Sequence, residues 1–139
     1  MPVKMIRLKS IEARRYTEPD KVPQPLRIDH NITVLNISPS KNKTSSVEFQ
    51  YTANYGSVGM IRMEGNLVIE DREARKVAEM WRTSRKMPDR LATVIHNAII
   101  HACLTEAVFI ARDLNLPPPI PFPQIKIGKP PKEEGPEVA

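Results

Sequence analysis

Cysteine is nearly absent from this sequence: Cys103 is the one example in 139 residues. That excludes an intrachain disulfide framework and any cysteine-cluster metal site. Aromatic residues are scarce as well, with one Trp, three Tyr and three Phe. A stacking platform of the kind that single-strand binders use is therefore not visible. Glycine is equally thin, with five in all. The pair around Gly56-Ser57-Val58-Gly59 fits neither the P-loop nor the dinucleotide pattern and reads as a turn. No apolar run reaches about 18 residues without a polar break, so no transmembrane helix or membrane insertion is expected. The start, Met1-Pro2-Val3-Lys4-Met5-Ile6-Arg7, lacks the apolar stretch of a signal peptide. A soluble, intracellular and cytoplasmic chain is the expectation.

What is present is globular in kind. Hydrophobic residues make up 40% and charged residues 27%, a composition that supports a packed core. The length suits one domain. Basic residues outnumber acidic ones by 21 to 16. Residues 1–56 carry nine basic and five acidic side chains, and residues 57–139 carry twelve and eleven. The excess is thus spread along the sequence. Such a balance permits nucleic acid or other acidic partners, and it equally fits a solvated surface.

The first half alternates with a period of two, the mark of strands with one apolar face. Leu26, Ile28, His30, Ile32 and Val34 form one series. Val47, Phe49, Tyr51, Ala53 and Tyr55 form another. Ile61, Met63, Gly65, Leu67 and Ile69 form a third, opposite Met60, Arg62, Glu64, Asn66 and Val68. An earlier run from Val3 to Tyr16 changes parity between Leu8 and Ile11, which predicts a bulge. Ser38 to Lys43 and Tyr55 to Gly59 read as hairpin connections, and Glu18 to Pro25 as a longer link. Four strands joined this way predict an antiparallel sheet whose apolar face needs a cover.

The second half reads as helix. Asp71 is a suitable N-cap for a helix from Arg72 to about Lys86. Ala74, Val77, Ala78 and Trp81 form its narrow apolar stripe. Arg72, Arg75, Lys76, Arg82, Arg85 and Lys86 line its other side. Pro88 falls in the first turn of the next helix, where proline is tolerated. That helix runs to about Asp113 and is apolar almost all the way round. One sheet can cover only one side, so the other side is expected to meet a second subunit. Ile95, Ile99, Ala102, Cys103 and Phe109 are the expected oligomer interface. Beyond it, eight of the 14 prolines fall between Pro117 and Pro136, which predicts extended chain. The expected architecture is α+β: a four-stranded antiparallel sheet with a short helix and a long apolar helix on one face. Residues 1–125 form the domain and 126–139 a Pro/Lys/Glu-rich mobile tail.

No catalytic constellation is visible, and no cofactor or metal is expected. His30 sits in a strand series and reads as a satisfied core-edge histidine. His96 and His101 are five apart, off the spacing that would place them on one helix face. Cys103, mid-helix among apolar residues, reads as an inert buried thiol. Methionines are more suggestive. Met60, Met63, Met80 and Met87, with Trp81, line an adaptable apolar groove if the short helix packs loosely over the sheet.

The order of elements resembles the bacterial export chaperone SecB and its relatives. Met63-Glu64-Gly65-Asn66-Leu67-Val68-Ile69 is similar to that family's fourth-strand segment. The stretch from Pro88 to Cys103, followed by Leu114-Asn115-Leu116-Pro117-Pro118 and Ile120-Pro121-Phe122, is similar to its long helix and exit. The likeness spans about Ile6 to Ile127. It implies a non-enzymatic dimer-of-dimers that binds unfolded chains in apolar grooves. The matching peptide-binding positions here are Met60, Ile61, Met63, Leu67, Val77, Met80 and Trp81. The chain departs from the family in being basic, so hand-off to an export ATPase is not implied. The function expected is a holdase-type chaperone for non-native polypeptide, forming a dimer or tetramer. The alternatives are a nucleic-acid-associated oligomer using the 72–90 helix face, and a small enzyme with an inter-subunit site near His96 and His101.

Overall fold

The computed structural model describes residues 3–18, 20 and 26–120. The expected 126–139 tail and most of the link before Leu26 lie outside them. Four strands are followed by two helices: β1 (Val3–Arg15), β2 (Asp29–Pro39), β3 (Thr44–Asn54), β4 (Gly59–Glu70), α1 (Ala74–Ser84) and α2 (Asp89–Asp113). The sheet is antiparallel throughout, in the order β1-β4-β3-β2. Hairpins join β2 to β3 and β3 to β4. The link after β1 carries the chain across to the opposite edge.

The two central strands alternate without a fault. Val47, Phe49, Tyr51 and Ala53 of β3 are fully buried, as are Ile61, Met63, Leu67 and Ile69 of β4. Their odd-numbered side chains face the helices, while Arg62, Glu64 and Gln50 face the other way and remain partly exposed. The predicted bulge in β1 is present as a register shift between Leu8 and Ser10. Gly65 pairs with Leu8 there. A Cβ on Gly65 would sit 2.1 Å from the Arg7 carbonyl oxygen. A glycine is thus required for β1 to lie this close.

Strand β2 differs from its expected bounds. It begins at Asp29 and continues through Pro39, into the stretch that reads as a turn in the sequence. Proline is accommodated because β2 is an edge strand with no partner on one side among the described residues. Strand β2 has a bulge of its own, between Val34 and Asn36, which restores the inward direction at Ile37. The turn is shorter than expected and is closed by Asn42 at φ 52°.

Helix α1 starts two residues later than expected and stops two earlier. Asp71 Oδ1 accepts the Glu73 amide at 2.9 Å, forming a local turn ahead of the helix rather than an N-cap of Arg72. That amide, and then Arg90 beside it, holds the Asp71 carboxyl below its usual range. At the other end Arg85 adopts the left-handed conformation, φ 58°, and its amide donates to the Trp81 carbonyl. Pro88 is the N-cap of α2 and not part of its first turn.

In α2, Leu91, Ile95, Ile99, Cys103, Ala107 and Ala111 are fully buried. They recur every four residues and form one row against the sheet. Ile95, Ile99 and Cys103 were expected at an oligomer interface; the structure turns them inward instead, because this row is the helix's contact with β1, β3 and β4. Ala102 lies half-buried beside the row and Phe109 is 52% exposed on the outer side. By length and composition α2 is also apolar enough to cross a bilayer, although polar residues interrupt its apolar run.

Candidate functional site

The seven expected peptide-binding residues do not form one surface. Ile61, Met63 and Leu67 are fully buried in the sheet core, and Val77 is 2% exposed under α1. Inward-facing odd positions in β4 lie under the helices, so they are core and not groove lining. Met60 is half-buried on the opposite face of the sheet. Only Met80 and Trp81 remain near solvent on α1. Met80 is 39% exposed. Trp81 is half-buried against the core, with the Arg85 guanidinium 5.8 Å from its ring centre.

Open apolar space lies elsewhere, along both flanks of α2. On one flank Ile100, Leu104, Val108 and Ile120 line a cleft of about 240 Å³. Ile120 also closes a neighbouring cleft of about 350 Å³ with Leu26, Ile28, His30 and Pro119. On the other flank Val3, Val94 and Ala98 line about 230 Å³. His101 stands on the ridge between the flanks, since it borders clefts on both. The helix's near-continuous apolar surface produces this arrangement. One row is spent on the sheet, and the rows beside it remain half-covered.

The exit from α2 is held by specific bonds. Leu116 is buried, and its amide donates to the Ala111 carbonyl at 2.8 Å. The Tyr55 hydroxyl donates to the Pro117 carbonyl at 2.6 Å. Arg15 Nη1 donates to the Asn115 carbonyl at 2.7 Å. These contacts fix Pro119 and Ile120 beside the start of β2. Burial pushes the Tyr55 hydroxyl up to about 12, so it donates throughout the neutral range.

Among the described residues the buried titratable groups are Tyr51, Tyr55 and Cys103. His30 is an exposed residue, and its Nδ1 lies 2.7 Å from the hydroxyl of buried Tyr51, which satisfies both. Desolvation raises the Tyr51 hydroxyl strongly. Cys103 is buried and free, and burial pushes its thiol up to about 11, the condition of an unreactive thiol. His96 Nδ1 is 2.8 Å from the Ala92 carbonyl, one turn back on its own helix. His101 occupies the exposed row, so the two do not converge. Among the described residues no three His, Cys, Asp or Glu side chains are grouped to hold a metal ion. Leu26, Ile28, Pro119 and Ile120 were legible as extended apolar chain but not as cleft lining. Their signal was apolar side chains persisting inside proline-rich or linking stretches.

No family model matches the chain, and no curated protein matches it by sequence. Among solved structures, it is similar to the Mycobacterium tuberculosis Rv1957 SecB-like chaperone, solved in complex with a ChAD peptide from the Rv1956 HigA1 antitoxin. The TM-score is 0.60 over 89% of this chain and 88% of that one, at 16% identity. The fold is SecB-like. At that identity the likeness concerns the architecture: a four-stranded antiparallel sheet with two helices, as the order of elements predicts.

Proposed function

We propose that this chain is a holdase-type chaperone that binds non-native polypeptides on the apolar flanks of α2. The observation that carries the reading is the SecB-like fold, shared over 89% of the chain with a chaperone solved with a peptide bound. The geometry is compatible in detail. Clefts of about 240 and 350 Å³ meet at Ile120, giving extended apolar chain a track to lie in. Binding there would withdraw aggregation-prone segments from solution and hold the unfolded state apart. In this reading the chain acts by binding and not by catalysis. It works in the cytoplasm as a dimer or tetramer, with the exposed Phe109 and the half-buried Ala102 of α2 available to a second copy. The expected Met80 and Trp81 site becomes a secondary contact.

The test is aggregation suppression. An unfolded, reduced protein is diluted with and without the chain at low and high salt, and light scattering is followed. Suppression is expected to survive high salt, because apolar burial is not screened. It is expected to fall in Ile100→Glu/Leu104→Glu and to change less in Met80→Glu. A folded chain that suppresses nothing would end the holdase reading. Equal loss in Met80→Glu would move the site to α1.

A further inference from the structure

The positive charge that is scattered in the sequence is gathered in space. Lys41 and Lys43 lie in the β2–β3 turn, and the Lys43 carbonyl accepts the Asp71 amide at 2.9 Å just ahead of α1. Residues 41–43 and 71–86 together hold eight of the 21 basic side chains and three of the 16 acidic ones. The remainder of the chain has 13 of each. These two segments therefore hold five more basic than acidic side chains, with Glu70 at their border beside Thr44.

A groove opens beside them. Asn36, Ile37, Ser38 and Pro39 of β2 form one wall, and Arg75, Ala78, Glu79 and Arg82 of α1 form the other, around about 300 Å³. Ile37 and Ala78 are each 3% exposed, so the floor is apolar. Arg75 and Arg82 stand two turns apart on the same flank of α1 and are both exposed. Arg82 pairs with Glu79. Strand β2 is the sheet's edge, so its outward backbone groups meet no other strand among the described residues.

We propose that this groove docks an extended acidic segment of a partner protein, added as a further strand on β2. Strand addition supplies main-chain hydrogen bonds and takes specificity from alternate side chains. Here the inward side chains meet Ile37 and Ala78, and carboxylates meet Arg75 and Arg82 in charge-assisted bonds. An apolar floor and an open strand edge favour peptide over nucleic acid, which would need stacking or a phosphate track. The groove is separate from the α2 flanks, so it stands or falls independently of the holdase reading.

The experiment uses the full chain and fluorescence anisotropy. The probes are a short labelled peptide alternating Glu with Val, its Gln and Lys counterparts, a version with N-methylated alternate amides, and an oligothymidine strand. The Glu peptide is expected to bind best and to weaken with salt. Its affinity should drop roughly tenfold or more in Arg75→Glu/Arg82→Glu and stay level in Lys9→Glu/Arg14→Glu at the far edge. The N-methylated peptide should bind less well than its parent. All these substitutions are at exposed positions, and circular dichroism confirms that the variants fold. Equal binding of the Glu and Gln peptides overturns the proposal. So does tighter binding of oligothymidine, lost in the same variant, which would make the patch a phosphate surface. A chain lacking residues 130–139 that binds the Glu peptide roughly tenfold tighter would put its own Glu133, Glu134 and Glu137 in the groove and overturn an external occupant.

Discussion

Strands β3 and β4 at the centre of the sheet contrast with β1 and β2 at its edges. In the centre every inward side chain from Val47 to Ala53 and from Ile61 to Ile69 is fully buried. At the edges the inward side chains Val3, Ile6, Leu8, Ile32 and Val34 are only half-covered, and Ile11 is 48% exposed. Both edges contain a bulge; the register of β3 on β4 has none. The helices do reach the edges, α1 over β2 and α2 over β1, but Ile37 is the one β2 side chain they bury. The central strands therefore supply the completely buried layer, and the edges keep apolar surface partly exposed.

The largest effect expected from breaking this contrast is in the centre. Phe49→Ala removes a fully buried ring and should cost about 3–5 kcal/mol in urea denaturation. Ile11→Ala, on an edge strand and 48% exposed, should cost within about 0.5–1 kcal/mol in the same assay. Similar losses at both positions would mean that the edge is covered in solution, as by a second copy.

Alkaline pH should act on the centre selectively. Burial raises Tyr55 to about 12 and Cys103 to about 11, and it raises Tyr51 in the same direction. Each group holds its proton more tightly folded than unfolded. The stability this represents is complete below the unfolded values and is lost as pH climbs through the folded ones. Denaturation midpoints should be level up to about pH 9 and then fall, at up to about 1.4 kcal/mol per pH unit for each group. Tyr55→Phe should make the fall shallower.

Gly65→Ala tests the seam between centre and edge. Its Cβ would meet the Arg7 carbonyl oxygen at 2.1 Å, so β1 must shift. A cost of about 1–3 kcal/mol is expected. Hydrogen exchange should quicken in β1 while β3 stays protected. Uniform loss of protection would show that the edge and the centre open together.

The same contrast explains what could be read from the sequence. The strict alternation in β3 and β4 made them legible residue by residue, and the parity change after Leu8 marked its bulge. The extension of β2 through Pro39 was hidden, because the Leu35-Asn36 bulge breaks the pattern and proline reads as a stop. Apolar side chains all round α2 gave its length but not its orientation. Only the structure shows that Ile95, Ile99 and Cys103 face the sheet while Ile100 and Leu104 flank open space. Met63 and Leu67 illustrate the same limit: a methionine in a strand looks alike whether it lines a groove or fills a core. The basic patch was invisible for a further reason, since Lys41 and Lys43 are about thirty residues from α1 and become its neighbours only through the β3–β4 hairpin.

The order β1-β4-β3-β2 also sets a schedule. During synthesis β1 emerges first, yet its partner β4 is the last strand to be made. The Arg15 bond to Asn115, 100 residues apart, and the Tyr55 bond to Pro117 close later still. Contacts of such separation form slowly. The nascent chain thus carries Ile6, Leu8 and Ile11 unpaired until Leu67, Gly65 and Met63 of β4 have followed them out of the ribosome. If it is a chaperone, it passes through the condition it would relieve in others.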